Sequence, residues 1–488
     1  MYLARVDTHE KLFLGGEWVA PAADGTIEVV SPHTQETIAT VAAATAADVD
    51  RAVGAARAAF DDGPWPRLAP AERVAAIRRL GEVYAGRRKE MVETIVAELG
   101  APVRFAKTAQ VGLPTHNIGV LAGIAEAYPW EESRPGAFGR DVLLRREPVG
   151  VVAAVVPWNM PQFLTVAKVV PALLAGCTVV VKPAPEAALD ALLLAEIVEQ
   201  AELPAGVVSI LPGGREVGAH LVASPGVDKV SFTGSSGAGR LVARACAANL
   251  TKVSLELGGK SAAIALDDAD PATVAAAVSM SAMGMAGQIC NGLTRVLAPA
   301  DRADEFAEAL AAVVSGLRVG DPTDPATDVG PLVARRQQER VRGYIETGRG
   351  EGARLVTGGT EMPDGIDRGW YVRPTVFADV DNTMTIAREE IFGPVFVVIP
   401  HAGDDAAVAL ANDSDYGLAG SVFTADVDRG LAIAARVRSG TFGVNEGYGM
   451  DPAAPFGGVK GSGYGRELGR EGIDAFVDVK SITVAAAG

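Results

Sequence analysis

The sequence predicts an α/β protein in which two domains are each built on a parallel sheet. Three observations carry this. From residue 149 onward, short apolar runs rich in Val and Ile alternate with helical segments, and a second alternating block begins after residue 256. Continuous β-branched runs of this kind belong to strands covered by helices on both faces. The third observation is length, since 488 residues exceed what a single hydrophobic core organises.

The first 40 residues hold short strand-like runs, Lys11–Leu14 and Ile27–Val30, separated by turn residues. A helix follows, with Thr45 as its cap and Asp48 as the acidic partner three residues on. Val49, Val53, Ala56 and Phe60 fall on one of its faces. One longer helical region is expected from Glu72 to Leu99, stopping at Gly100 with Pro102 beyond. In the first alternating block, Val149–Val156, Thr178–Val181, Val207–Leu211 and Lys229–Phe232 read as strands, with helices at Pro161–Ala175 and Ala187–Ala201. In the second, Ala262–Leu266 and Val395–Ile399 read as strands, and Ala272–Ala286 and Ala303–Leu317 as helices. Glu256–Lys260 is the candidate junction. The C-terminal Ile473–Val484 stretch reads as an edge strand that pairs with another subunit.

Net charge is −16, which argues against general nucleic-acid binding. Basic clusters such as Arg87-Arg88-Lys89 and Arg335-Arg336 have acidic neighbours and read as solvated helix faces. The three cysteines, Cys177, Cys246 and Cys290, are too few and odd in number for a disulfide framework and suit a reducing compartment. Residues 1–10 lack the apolar core of a signal peptide. The longest apolar stretch, Val149 to Val181, is broken by Pro157, Asn159, Pro161, Lys168 and Pro171, so no membrane span is expected. A cytoplasmic protein is the expectation.

Several segments combine chemistry-bearing residues with turn formers: Pro157-Trp158-Asn159, Lys182-Pro183, Leu255-Glu256-Leu257-Gly258-Gly259-Lys260 and Gly287-Gln288-Ile289-Cys290. Two more are Glu390-Ile391-Phe392-Gly393-Pro394 and Pro455-Phe456-Gly457-Gly458. Any one is a weak signal. Together, in this order across nearly the whole chain, they resemble the signature set of the aldehyde dehydrogenase superfamily. The resemblance implies two Rossmann-like domains plus a small β oligomerisation segment. The expected boundaries are 1–125 and 148–256 for dinucleotide binding, 257–455 for catalysis, and 126–147 with 470–488 for assembly into a homodimer or homotetramer.

The chemistry needs a nucleophile, because an aldehyde gives up hydride readily only after addition to its carbonyl. A thiolate adds well, and the thioester left behind stays open to water. A lone cysteine is ordinarily a small buried hydrophobe. That reading is kept for Cys177 and Cys246, and the motif reverses it for Cys290. By resemblance, the Asn159 amide and the Cys290 backbone N–H hold the oxyanion. Asn159 also suits the breaker-rich turn in which it stands. Glu256, flanked by Leu255 and Leu257, is the base for hydrolysis, and apolar neighbours raise a carboxyl pKa toward neutrality. Glu467 is a second family carboxylate, with a proton relay to Glu256 or a surface position as its two readings.

The resemblance implies a nicotinamide dinucleotide and no metal. Phe232-Thr233-Gly234-Ser235 leads into a helix through Gly237 and Gly239, and its N-terminal N–H groups suit a pyrophosphate. The spacing is not the ordinary G-x-G-x-x-G fingerprint. Ser235 is expected on a phosphate, Lys182 at the adenosine ribose and Gly214 at the adenine. Glu390 is expected at the nicotinamide ribose with Phe392 packed nearby, and Pro157, Trp158, Leu257 and Gly258 along the cofactor. Many NAD-preferring members carry a Glu three residues after the lysine. Here that position is Pro185, with Glu186 one later. NAD is expected, with NADP as the alternative.

The substrate pocket is expected at Met160, Phe163, Ile289, Asn291, Met450 and Phe456. Met adapts to irregular apolar space, and no Arg or Lys is placed to hold a second carboxylate. An uncharged, aliphatic or modest-sized hydrophobic aldehyde follows. A CoA-acylating dehydrogenase, a thiol acyl hydrolase and a non-enzymatic binding protein are the competing readings. The hydrolase needs a partnered histidine, and none of the five stands in a recognisable motif.

Overall fold

The computed structural model describes residues 7–447 and 450–483. Residues 1–6 of the N-terminal segment and 484–488 of the C-terminal one lie outside the described residues, as do 448 and 449.

Two large sheets organise the chain. The first has eight strands in the order Gly463–Tyr464, Lys252–Glu256, Lys229–Thr233, Val151–Val155, Thr178–Lys182, Val208–Ile210, Leu12–Leu14, Glu17–Val19. Its five central strands are parallel, and the pairs at either end are antiparallel. Val151–Val155, Thr178–Lys182 and Lys229–Thr233 are buried along their whole length, including the polar Thr178, Lys182, Lys229, Ser231 and Thr233. The helix Pro161–Ala175 is buried on every side, matching its apolar circumference. The chain runs from Val151–Val155 outward in one direction, then returns to lay Lys229–Thr233 on the opposite side. The strand order therefore reverses between these two, and ligands in open α/β sheets bind at such a point, beyond the carboxyl ends.

The second sheet has seven strands: Arg354–Gly359, Arg373–Ala378, Val395–His401, Arg295–Pro299, Ala262–Ala265, Gly420–Phe423, Gly443–Val444. All pairings are parallel except the first. A third, three-stranded antiparallel sheet joins Glu131–Pro135, Asp141–Pro148 and Val477–Thr483.

The helix start at Thr45 carries the expected capping box with Asp48. The single helix expected over Glu72–Leu99 is two, Pro70–Gly86 and Arg88–Leu99. Arg87 leaves helical geometry between them at φ −100°, ψ 8°, and its side chain bonds Glu90 and Glu196 at 2.6 and 2.8 Å. Gly100 ends the second helix in the left-handed region, as anticipated. The expected helix Ala272–Ala286 spans Pro271–Met283, and Ala286 has already turned to φ 52°. The start of the C-terminal strand needs correction, while its place at a sheet edge stands. Ile473 lies in the helix Gly469–Asp474, the strand begins at Val477, and it pairs with Asp141–Pro148 of its own chain.

Candidate active site

The carboxyl ends of Val151–Val155 and Lys229–Thr233 deliver the turns Pro157–Asn159 and Gly234–Ser235 to one cleft. The cleft holds about 270 Å³. Its other walls are Leu257 and Gly258, Gln337 and Arg340, Glu390 and Phe392, and Cys290. The helix Ser236–Asn249 points its N-terminus here, with Ser235 as the cap accepting from the Ala238 N–H. That end carries the positive pole of the helix dipole and suits an anion. Trp158 and Phe392 meet edge to face at 5.5 Å.

A second cleft of about 250 Å³ opens on the other side of Asn159 and Cys290. Met160, Phe163, Ile289, Asn291, Met450 and Phe456 line it, together with Phe105, Leu113, Met280 and others. Among the described residues, none of its lining side chains is charged. Among the described residues, Asn159 and Cys290 alone are common to both clefts.

Cys290 sits in the turn between the helix Pro271–Met283 and the strand Arg295–Pro299. It is partly exposed, whereas Cys177 and Cys246 are buried. Two glycines of the junction segment allow the approach of its neighbours. A Cβ on Gly259 would fall 2.4 Å from the Cys290 carbonyl oxygen, and one on Gly258 would fall 2.2 Å from Glu390 Oε2. The Gly259 N–H donates to Glu390 Oε1 at 3.0 Å. Burial pushes the Cys290 thiol up to about 12, and the carboxyls of Glu390 and Glu256 add to the shift. Burial likewise pushes Glu390 up to about 7.

Asn159 is buried and its Nδ2 donates to the Gln288 carbonyl at 3.0 Å. An amide nitrogen carries two hydrogens, so one remains for another acceptor. Glu256 ends the strand Lys252–Glu256 in full burial. Neither of its carboxyl oxygens has a hydrogen-bond partner among the described residues. Burial raises its pKa, Glu467 raises it further, and Lys168 and Arg466 pull the other way. Glu467 is buried and ion-paired with Lys168, whose ammonium also donates to Thr233 Oγ1 at 2.5 Å. The surface reading of Glu467 is thereby excluded.

Four of the expected cofactor residues do not line the first cleft. Lys182 is buried, and its ammonium donates to the Gly213 carbonyl at 3.0 Å, next to Gly214. Phe232 is buried, with its ring under Gly234. Gly239 is packed against the Leu257 side chain. Glu186 forms an ion pair with Arg336. Sequence reasoning missed Gln337 and Arg340 in the first cleft, because they come from the helix Arg335–Gly350, whose sequence looks like any solvated polar face. It missed Phe105 and Leu113 because nothing local distinguishes a pocket wall from a core. Lys168 was noted only as an interruption of an apolar run, and that was the available signal: a lysine in a buried helix needs a partner.

A thiol held between a cleft at a helix N-terminus and an apolar cleft, on paired parallel sheets, defines a thiol-dependent α/β oxidoreductase. Residues 18–482 match the family described as Aldehyde dehydrogenase family, and the chain belongs to that family. It is 47% identical over 474 residues to the geranial dehydrogenase of Castellaniella defragrans, covering 97% of this chain and 98% of that protein. It is 40% identical to the 3-succinoylsemialdehyde-pyridine dehydrogenase of a Pseudomonas species, over 97% of this chain and 98% of that one. Among solved structures, the Mycobacterium tuberculosis aldehyde dehydrogenase complexed with NAD+ superimposes with a TM-score of 0.96 at 48% identity, over 99% of both chains. A cysteine-to-alanine mutant of aldehyde dehydrogenase C from Pseudomonas syringae, complexed with NAD+ and octanal, gives 0.95 at 41% identity, again over 99% of both.

Proposed function

We propose that this protein oxidises an uncharged, aliphatic or modest-sized hydrophobic aldehyde to its carboxylic acid, with NAD+ as acceptor. The observation that carries this is the position of Cys290 in the wall shared by the two clefts. Aldehyde enters along the apolar side, and cofactor occupies the side at the helix N-terminus.

Cys290 Sγ adds to the aldehyde carbon, with Asn159 Nδ2 and the Cys290 N–H holding the oxygen that becomes negative. NAD+, when bound, supplies the hydride acceptor and a positive charge in the cleft. Loss of hydride from the adduct leaves a thioester on Cys290. Glu256 then takes a proton from water, and the hydroxide attacks the thioester carbon, breaking the C–S bond to release the acid and restore the Cys290 thiolate. A buried carboxyl with unpartnered oxygens and a raised pKa suits a base that must bind water and take its proton near neutral pH. Glu467, held by Lys168, is the second carboxylate toward which that proton moves. Gly258, Glu390 and Phe392 position the reactive end of the cofactor. Ser235 and Gly234 hold phosphate, with Lys182, Gly214, Phe232 and Gly239 shaping the adenosine side.

The apolar lining favours chains without a second charge. The geranial dehydrogenase relative and the octanal-bound neighbour name apolar aldehydes of comparable size. Pro185 offers no carboxylate to repel a 2′-phosphate, and Glu186 is engaged by Arg336, so selectivity for NAD+ over NADP+ is modest. Residues 1–125 with 148–256 form the cofactor unit, 257–455 the catalytic unit, and 126–147 with 470–488 an assembly segment for a homodimer or homotetramer. The open edges of the three-stranded sheet and the exposed Val479 support that assembly. Three free cysteines support a cytoplasmic location, and no described helix is long and apolar enough to cross a membrane.

The test is a panel of aldehydes assayed by formation of reduced cofactor with NAD+ and with NADP+. Highest kcat/KM is expected for medium-length apolar aldehydes with NAD+. A clear preference for succinate semialdehyde would overturn the substrate class, and a strong NADP+ preference would overturn the cofactor order.

A further inference from the structure

We propose that Gln110 is a positioning residue for the oxyanion donor Asn159, a role that rests on the aldehyde oxidation proposed above. Gln110 is fully buried at the end of a π-helical turn, Ala106–Gln110, which separates the short helix Val103–Phe105 from Gly112–Glu126. The Val111 N–H reaches back five residues to the Ala106 carbonyl at 3.0 Å. Such a single wide turn inserts an extra residue into a helix and is commonly kept where a side chain must be re-aimed.

Here the re-aiming has a visible target. Gln110 Nε2 donates to the main-chain oxygen of Asn159 at 2.7 Å and stands 3.8 Å from Met285 Sδ. Asn159 Nδ2 in turn donates to the Gln288 carbonyl, two residues before Cys290. Gln288 is itself held at both ends of its amide. Its Nε2 donates to the Met285 carbonyl at 2.9 Å, and its Oε1 accepts from the Val333 N–H at 3.1 Å. One buried polar chain therefore runs from Gln110 through the Asn159 turn to the turn carrying the nucleophile.

Beyond the Gln110 bond, the Asn159 turn is held by its flanking Pro157 and Pro161, by the Nδ2 bond to Gln288 and by the Trp158–Phe392 contact, none of which engages the Asn159 carbonyl. Met160 has φ −136° and ψ 59°, and the helix Pro161–Ala175 starts without a side-chain cap. A carbonyl left bare in this interior would seek a new partner and rotate the peptide. A shift of the main chain at Asn159 that brings its carbonyl to such a partner carries the Asn159 Cα and Cβ with it, and so the amide hydrogen meant for the oxyanion. Gln110 does not line either cleft, so its influence on the reaction passes through Asn159. Phe105, Ala109 and Leu113 of the same region do line the apolar cleft. The wide turn thus separates two jobs, presenting apolar side chains to substrate while keeping one amide on Asn159.

The test is a double-mutant cycle on the full chain with Gln110→Met, which keeps length and removes the donor, and Asn159→Ala. Gln110→Met alone should lower kcat/KM for the aldehyde by ~10- to 100-fold, the cost of a small misplacement of a reacting group, while the Kd for NAD+ stays unchanged. In the Asn159→Ala background the same change should cost less than about twofold, because sites acting through one another are not additive. Equal losses in both backgrounds would show a general structural effect and overturn the proposal, as would a wild-type rate for Gln110→Met. If Gln110→Met does not yield protein that binds NAD+, Gln110→Asn, whose amide falls short of the carbonyl, enters the same cycle with the same two criteria. Absence of aldehyde-dependent NAD+ reduction by the unmutated protein would instead refute the oxidation itself.

Discussion

As the proposed nucleophile, Cys290 must be sheltered enough to exclude stray water and yet ionised enough to attack. The protein's own groups favour the first demand, since burial and two carboxyls hold the thiol up at about 12. A cationic ring in the neighbouring cleft would act in the opposite direction, so thiol reactivity should depend on cofactor. Alkylation of Cys290 by iodoacetamide at neutral pH is expected to be faster with NAD+ present; an unchanged or slower rate would contradict this electrostatic reading. Cys290→Ala should abolish dehydrogenase turnover with NAD+ binding retained, measured by calorimetry, and normal turnover would refute the nucleophile. Glu256→Gln should leave the first turnover's burst of reduced cofactor and slow the steady state by about 100-fold or more, in keeping with loss of a general base. A lost burst with an unchanged steady state would reverse that assignment. For the unmutated protein the hydrolytic step should speed up as pH rises, because a carboxyl with a raised pKa becomes the active base only on losing its proton.

The buried start of the helix Ala188–Gln200 presents a separate electrostatic problem. Glu98 accepts from the Leu189 and Asp190 N–H groups at 2.9 and 3.0 Å, and so caps this helix from another element. Asp190 stands beside it in full burial, with Gln162 Nε2 donating to its Oδ2 at 2.9 Å. Burial pushes Asp190 from its usual 3.8 up to about 7. Between those values the unfolded chain releases a proton that the folded chain keeps, so folding stability falls as pH rises across this window. Asp190→Asn keeps an acceptor for Gln162 and removes the charge that also raises Glu98. Its melting temperature relative to the unmutated protein should therefore climb from pH about 4 to about 7. A constant difference over that range would show that Asp190 does not titrate there. Backbone crowding dominates elsewhere: a Cβ on Gly287, at φ +77°, would lie 2.1 Å from the Gly393 backbone. Gly287→Ala should cost more than about 2 kcal/mol in denaturant unfolding, because neither segment is a side chain that can step aside.

Assembly belongs to the molecule as a whole. Val477–Thr483 pairs with Asp141–Pro148 over its full length, yet most of its side chains are exposed and Val479 is 60% exposed. Isolated edges invite pairing, and three strands with so little covered surface gain little by themselves. Light scattering is expected to give a dimer or tetramer, and deletion of residues 477–488 is expected to shift it toward monomer; a monomeric full-length chain would contradict the assignment. The strand Val477–Thr483 also follows directly on the helix Gly469–Asp474, which begins two residues after Glu467. Loss of assembly should for that reason lower activity as well as mass.

Read alone, the chain already specifies the alternating α/β plan, the capping box at Thr45, the helix stop at Gly100 and the motif around Cys290. These depend on nearest neighbours, on period and on short motifs, which a linear string preserves. Its failures have one cause. The break at Arg87 answers to Glu196, more than a hundred residues away, and the C-terminal strand starts late because Ile473 is needed in a helix packed against Pro161–Ala175. Lys168 with Glu467, Gln337 and Arg340 in the cleft wall, and Gln110 on Asn159 are likewise pairings across long sequence separations. Such contacts are settled by packing, where a buried charge or donor takes whichever partner the fold brings near, and no local pattern in the sequence encodes that partner.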